Sequence, residues 1–354
     1  MERVTENVVS AGERQDRPAA ALAGSAPIKP PALPEHATIA VVAPAGPPQT
    51  RSEIEQAMVY FEARGHRLVF GPNHRKVHGY LAGTDEERAA DVEWALTEPG
   101  IDMVHALDGG YGTARLHDRI DWGRLGEPRI VCGYSDITAL HLAIAAHAGW
   151  VTFYGPNLLR FTRRKDEYPL TEITEAWFHR AFEPRPLGGV FEDPENPYVL
   201  TVGGGAAEAP IVGGNLTLVC ASIGTPYEVQ TDGCVVMVED LNVEPYMIDA
   251  MLNHLILAGK LDRAAGFVFG TDVDLRKKSV PEVVESSLSI EEVLDELITP
   301  LGIPAIANVP VGHGKHMATM PLGATVRVDG DAKTLEVTEA AVEPTEDQRG
   351  GENG

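Results

Sequence analysis

The sequence predicts an α/β protein built as two domains, and three features of its pattern carry that prediction. From 37 to 160, short apolar runs alternate with segments whose apolar residues recur at helical spacing, the signature of a parallel sheet covered on both faces. From 161 to 205 this period weakens while Pro and Gly accumulate, so the stretch reads as a connecting segment. From 206 to 340 a second alternating block follows, closing on two strand-like runs around a Gly-containing turn. With 354 residues, 44% of them hydrophobic, the chain has apolar material for two ordinary cores.

The elements follow in order. ATIAVVAP is a strand ending in Pro and Gly, and RSEIEQAMVYFEARG is a helix stopped by Gly65. HRLVFGP is the next strand, TDEERAADVEWALTEPG a helix with an acidic first turn, and IDMVHAL a strand. A Gly-rich turn (GGYG), a helix from about Thr113, the strand RIVCG, a helix over 136–148 and the strand WVTFYGP complete a flavodoxin/Rossmann-like N-terminal unit. In the connecting segment only YPLTEITEAWFHRAF has helical spacing. The second unit reads EAPIVGG (strand), NLTLVCASIG (helix), CVVMVED (strand), PYMIDAMLNHLILAG (helix), AAGFVFG (strand), IEEVLDELITPLG (helix) and PAIANVPVGH (strand). ATVRVDG and DAKTLEVTE then form a terminal β-hairpin. Residues 1–36 and 341–354 lack either period and are expected to be a disordered arm and tail.

Composition excludes several functions. Lys and Arg number 29 against 52 Asp and Glu, a net charge of −23. The arm holds four bases and five acids and the last dozen residues one base and four acids, so −19 belongs to the folded body. Such a surface repels polyphosphate, so neither nucleic acid nor an anionic membrane is expected as a partner. Cys132, Cys220 and Cys234 are too few and too scattered for a disulfide framework or a zinc cluster, and each reads as a small core residue. No apolar run reaches the length of a membrane span, and the N-terminus has no secretory pattern, so a cytoplasmic setting is expected. Neither a P-loop nor G-x-G-x-x-G, H-E-x-x-H or C-x-x-C occurs, so no cofactor and no metal are expected; a homodimer is left open.

In open parallel sheets, sites form beyond the carboxyl ends of strands. RIVC runs through Gly133-Tyr134-Ser135-Asp136 directly into a helix, a turn that thrusts Ser135 outward as a nucleophile would require. The alternative is that Ser135 or Asp136 merely caps the helix. Ile137 stands where the G-x-S-x-G elbow has its second glycine, which disfavours an ordinary α/β-hydrolase. A serine nucleophile needs a base and an orienting acid. Of the twelve histidines, His313 ends a strand between glycines, with His316 as the fallback; His105 reads as a core residue. Glu239 ends the strand CVVMVED, with Asp240 and Glu244 as competitors, although a carboxylate there often caps the next helix. The Gly109-Gly110-Tyr111-Gly112 turn could supply an amide to an oxyanion hole.

Taken together, VAPAG at 42–46, GGYGTARL at 109–116, GYSDITAL at 133–140, and GGNL with ASIGTPYE at 213–228 resemble the signature blocks of the LD-carboxypeptidases. This is the serine peptidase family of muropeptide LD-carboxypeptidases and microcin C immunity proteins. VEDLNVEPYMIDAML and PVGHGKHMATMPLGA extend the match, which covers 37–337. The resemblance implies a catalytic Ser135, Glu239 and His313 in that chain order, with the amides of Asp136 and Gly110 (Gly109 as the alternative) as the oxyanion hole. It further implies hydrolysis of the amide to the C-terminal D-residue of a murein tetrapeptide, with a small peptide or muropeptide as substrate. An immunity-type hydrolase of aminoacyl or peptidyl nucleotides is the first alternative, in which Trp177 or Phe178 could stack on a base, although packing in the helix core is the role expected of both. A two-domain ligand-binding protein without chemistry is the second. One departure stands out: family members often carry Arg directly before GGYG, where this chain has Asp108. Arg115 matches the family and could serve only to tie its helix to the sheet.

Overall fold

The computed structural model describes residues 26–48, 50–162, 170–189, 199–271 and 288–345. The first sheet is built from β1 (Thr38–Val42), β2 (Arg67–Phe70), β3 (Met103–Ala106), β4 (Ile130–Gly133) and β5 (Thr152–Tyr154), all parallel, in the order β5-β4-β3-β1-β2. Every residue of β3 and β4 is buried, as expected for strands covered on both faces. The covering helices include α1 (Arg51–Glu62), α2 (Asp85–Thr97) and α3 (Thr138–Ala148). Reciprocal capping boxes, Thr50 with Glu53 and Thr84 with Glu87, start the first two. The GTARL segment forms a 3-10 helix over Thr113–Arg119.

After α4 (Glu172–Arg180), the chain forms β6 (Gly188–Gly189), β7 (Leu200–Gly203) and β8 (Ala206–Asn215), then α5 (Leu216–Ser222), β9 (Val235–Glu239), α6 (Pro245–Leu257) and β10 (Gly266–Gly270). There follow α7 (Ile290–Leu297), β11 (Ala305–Val309), β12 (Met320–Leu322) and the hairpin β13 (Thr325–Asp329) with β14 (Thr334–Val337). The second sheet runs β6-β14-β13-β8-β9-β10-β11-β7, and its centre, β8 to β11, is parallel. The fold is thus α/β with the terminal hairpin that the alternation predicts.

Two features depart from the expected layout. β12 pairs antiparallel with β5, so a strand from the second block closes the edge of the first sheet. The largest apolar cluster is correspondingly shared, joining Val41, Phe153 and Met320 to Met237, Val268 and Val326. The arm expected over 1–36 is too long. Ile28 bridges to Trp150, Pro31 bridges to Glu343, and Ala32 is buried, because this stretch finds backbone partners and apolar contacts on the body. The tail expected from 341 is shortened by the same contact, since Ala341 and Val342 are buried. Among the described residues no helix is long and apolar enough to cross a membrane.

Candidate active site

Ser135 lies at the junction of β4 and α3 with φ +65°, a left-handed conformation that a non-glycine residue adopts only where its surroundings enforce it. The enforcement is visible on every side. Tyr134 N–H donates to Asn157 Oδ1 (3.0 Å), Ser135 N–H donates to the Tyr154 hydroxyl (3.1 Å), and Thr138 Oγ1 donates to the Ser135 carbonyl (2.7 Å). A side chain at Gly133 would sit 2.8 Å from Ala106 Cβ and 2.9 Å from Asn157 Oδ1, so the approach to the turn requires glycine. The capping alternative does not hold here. No side-chain cap bond is made to either the short 3-10 turn or α3, and the Asp136 carboxylate instead accepts Thr113 N–H (2.8 Å), binding the GGYG turn to the Ser135 turn.

Glu239 and His313 meet at the ends of β9 and the loop after β11. His313 Nδ1 lies 2.7 Å from Glu239 Oε2, and the same oxygen accepts His313 N–H at 3.1 Å. Both residues are buried. Burial alone would raise the Glu239 pKa, but His313, its two bonds and the Tyr154 hydroxyl outweigh that effect and hold the carboxyl below the ordinary range. Gly312 makes the contact sterically feasible: at φ +87° it carries no side chain, and a Cβ there would be 2.2 Å from Glu239 Oε2. Tyr154, at the end of β5, donates to Glu239 Oε1 while accepting from Ser135 N–H, so one buried phenol spans the two halves. The Tyr134 ring packs against the His313 ring at 4.8 Å, and Arg160 braces the His313 loop by donating to the carbonyls of Gly314 and Lys315 (2.7 and 2.8 Å).

The Gly-rich turn lies against the same serine. A Cβ on Gly109 would be 3.0 Å from Ser135 Cβ and 3.2 Å from its Oγ. Gly109 N–H donates to Asp108 Oδ1 (2.9 Å), whereas among the described residues no acceptor is bonded to Gly110 N–H. Gly46 N–H in turn donates to the Gly109 carbonyl (3.0 Å), clamping the VAPAG loop to the turn. Arg88 is buried against both, bonding the carbonyls of Pro44 and Gly112, with Asp85 as its counter-ion.

Other expected residues find different uses. His316 Nδ1 lies 2.9 Å from Thr171 Oγ1 at the start of α4. Asp240 accepts from Asn215 Nδ2 and from the amide and hydroxyl of Thr217, anchoring the start of α5. Glu244 precedes α6 without a side-chain cap bond. Arg115 pairs with Asp85 of α2. His105 is buried with Nε2 on the Pro156 carbonyl, the core role expected for it. Trp177 and Phe178 are also core residues, 2% and 1% exposed, and are not presented for stacking on a base. Cys132 is buried, whereas Cys220 and Cys234 are only half-buried, so the expected core role holds fully for Cys132 alone.

The sequence reading missed Tyr154, Asn157, Thr138 and Asn215. Tyr154 had a signal, since it ends a strand beside the Ser135 strand. Asn215 N–H donates to Thr138 Oγ1 (2.9 Å), and Asn215 stands opposite Glu239 in the β8–β9 register, a relation that spacing alone does not reveal.

Comparison with known proteins accords with this geometry. Residues 39–155 match the LD-carboxypeptidase N-terminal domain and residues 208–328 the LD-carboxypeptidase C-terminal domain. A probable murein peptide carboxypeptidase of Bacillus subtilis (strain 168) is 38% identical over 315 residues, covering 89% of this chain and 95% of its own length. The microcin C7 self-immunity protein MccF of Escherichia coli is 26% identical, covering 79% of this chain and 86% of its own. The crystal structure of muramoyltetrapeptide carboxypeptidase from Oxalobacter formigenes superposes with a TM-score of 0.73 at 27% identity, over 87% of this chain and all of that one. These matches exclude the reading as a ligand-binding protein without chemistry: the chain belongs to the LD-carboxypeptidase family and is a serine-type carboxypeptidase.

Proposed function

We propose that this carboxypeptidase hydrolyses the amide to the C-terminal D-residue of murein tetrapeptides through Ser135, His313 and Glu239. The observation that carries the reading is the buried Glu239–His313 contact of 2.7 Å beside a serine held at φ +65° on a strand-to-helix turn. With Nδ1–H given to Glu239, Nε2 is the ring nitrogen of His313 that carries the lone pair of the neutral tautomer and acts as the base. It takes the proton of Ser135 Oγ as that oxygen attacks the scissile carbonyl, then returns it to the leaving amine. Glu239 fixes the tautomer and stabilises the imidazolium. Water resolves the acyl-enzyme by the same route in reverse order.

The amides of Gly110 and Asp136 receive the oxyanion. Gly110 is preferred over Gly109 because the Gly109 amide is already taken by the Asp108 carboxylate. In the family pattern an Arg often stands at the Asp108 position, so this chain uses the position to order the turn rather than to add positive charge.

The relationship to MccF supports a second reading, hydrolysis of an aminoacyl or peptidyl nucleotide by the same groups. The burial of Trp177 and Phe178 removes the two candidate aromatic partners for its base, which favours the murein substrate. Mass spectrometry of products from an L,D-tetrapeptide, its L,L counterpart and an aminoacyl-sulfamoyl adenylate separates the two. Loss of one D-alanine from the L,D-peptide alone is expected. Preferential turnover of the adenylate would overturn the murein assignment.

A further inference from the structure

We infer that Tyr154 is a positioning residue that sets the nucleophile and the acid of the proposed triad against each other across the two sheets. The inference rests on the triad reading above and adds a fourth side chain to it. Tyr154 ends β5 of the first sheet and is fully buried, and its hydroxyl makes two bonds of opposite sense. It accepts Ser135 N–H (3.1 Å), and it donates to Glu239 Oε1 at the end of β9 in the second sheet.

Each bond has a distinct consequence. Ser135 is half-buried at a strained φ, and accepting its N–H pairs that donor and holds the backbone of the turn. Glu239 has two carboxylate oxygens and one histidine. With Oε1 taken by the phenol, Oε2 is the oxygen left to receive both His313 Nδ1 and His313 N–H, which fixes the carboxylate plane and through it the ring. Because the phenol donates to Glu239, it must remain protonated, and burial with the neighbouring Glu239 charge drives its pKa well above the ordinary value. The surroundings leave Tyr154 no slack. Gly214 at φ +133° would place a Cβ 3.2 Å from Tyr154 Cε2, so β8 passes this ring at a position that only glycine fills.

The decisive variant is Tyr154→Phe, which keeps the ring and removes only the hydroxyl. Its kcat on the L,D-tetrapeptide is expected to fall about 10- to 100-fold with KM changed less than about threefold, because the substrate is still bound while the reacting groups are misaligned. A second readout separates positioning from general damage. Removal of a donor from Glu239 makes its carboxylate more basic and a stronger stabiliser of the imidazolium, so the acid limb of the kcat/KM profile moves to higher pH. The charged and titratable groups around this pair are Tyr134 beside His313, Arg160 beside Tyr134, Asp108 near Tyr134, and Asp240 next in the chain to Glu239; all stay in place in the variant. Thermal unfolding and circular dichroism give the folded fraction. A variant with wild-type kcat and an unmoved acid limb overturns the inference, as does a loss wholly matched by a smaller folded fraction. Ser135→Ala assayed in parallel keeps the failures apart: if it retains turnover, the triad reading itself has failed, whereas an inert Ser135→Ala with an unimpaired Tyr154→Phe refutes only the role of Tyr154.

Discussion

The two halves of the site are held in place by different forces. On the first sheet, Ser135 is positioned by backbone geometry: a positive φ, three hydrogen bonds around its turn, and glycines at 133 and 109 that let neighbouring atoms approach. On the second sheet, Glu239 and His313 are positioned by charge, a buried carboxylate whose pKa is lowered by the histidine it faces despite its desolvation. The proposed nucleophile therefore needs shape, and the proposed base needs an electrostatic partner. The two halves should fail in different ways when perturbed.

The largest effect is expected on the charged half. Glu239→Gln preserves shape while removing the charge and allowing the wrong imidazole tautomer, so kcat should fall about 10⁴-fold with the fold retained by circular dichroism. A loss below about tenfold would mean that charge does not hold this half. Gly312→Ala comes next. Its Cβ would meet Glu239 Oε2 at 2.2 Å in a left-handed backbone, so a loss of about 10²-fold in kcat and about 1–3 kcal/mol of stability is expected in denaturant titration.

Perturbing the other half by shape alone should be milder. Gly109→Ala introduces contacts of 3.0 and 3.2 Å to Ser135 at an ordinary φ, so about a tenfold loss in kcat with little change in stability is expected from steady-state kinetics. The effect of pH separates the halves by stability rather than by turnover. His105, His117 and His141 lie in the first unit, each with its pKa lowered to about 4 by burial, and His141 bonds the Gly133 carbonyl just before the Ser135 turn. Their folded values lie below the unfolded value of 6.5, so the unfolded state binds more protons between the two. Stability from these groups is complete above pH 6.5 and is lost as pH falls toward 4, at up to about 1.4 kcal/mol per pH unit for each group. The Glu239 contribution persists to lower pH, because its carboxyl is shifted downward and is neutralised only below the ordinary carboxylate range. Hydrogen exchange between pH 6.5 and 4 should accordingly loosen the Ser135 half before the Glu239 half, and simultaneous loosening would erase the distinction.

The same contrast explains what the sequence made legible. Alternating strands and helices mark Ser135, Glu239 and His313 as junction residues, since the end of a buried strand is a local feature. Assigning roles to them required the combined motifs. What stayed hidden depends on contacts far apart in the chain. β12 reads as part of the second block, and only the folded chain reveals that it completes the edge of the first sheet. Ile28 and Ala32 look like arm residues because the edges that receive them, at Trp150 and Glu343, are more than a hundred residues away. Asp108 reads as a lost positive charge, but its carboxylate caps the Gly109 amide. The arginines near the site are engaged within the protein: Arg160 on loop carbonyls, and Arg88 and Arg115 with Asp85.

In the proposed reaction Ser135 carries the hydrolysis. The most direct test is product mass spectrometry of an L,D-tetrapeptide incubated with the wild-type chain and with Ser135→Ala at equal folded concentration. The wild type is expected to release the terminal D-alanine, and the variant to lose about 10⁴-fold or more of that activity. Comparable D-alanine release by Ser135→Ala would contradict it.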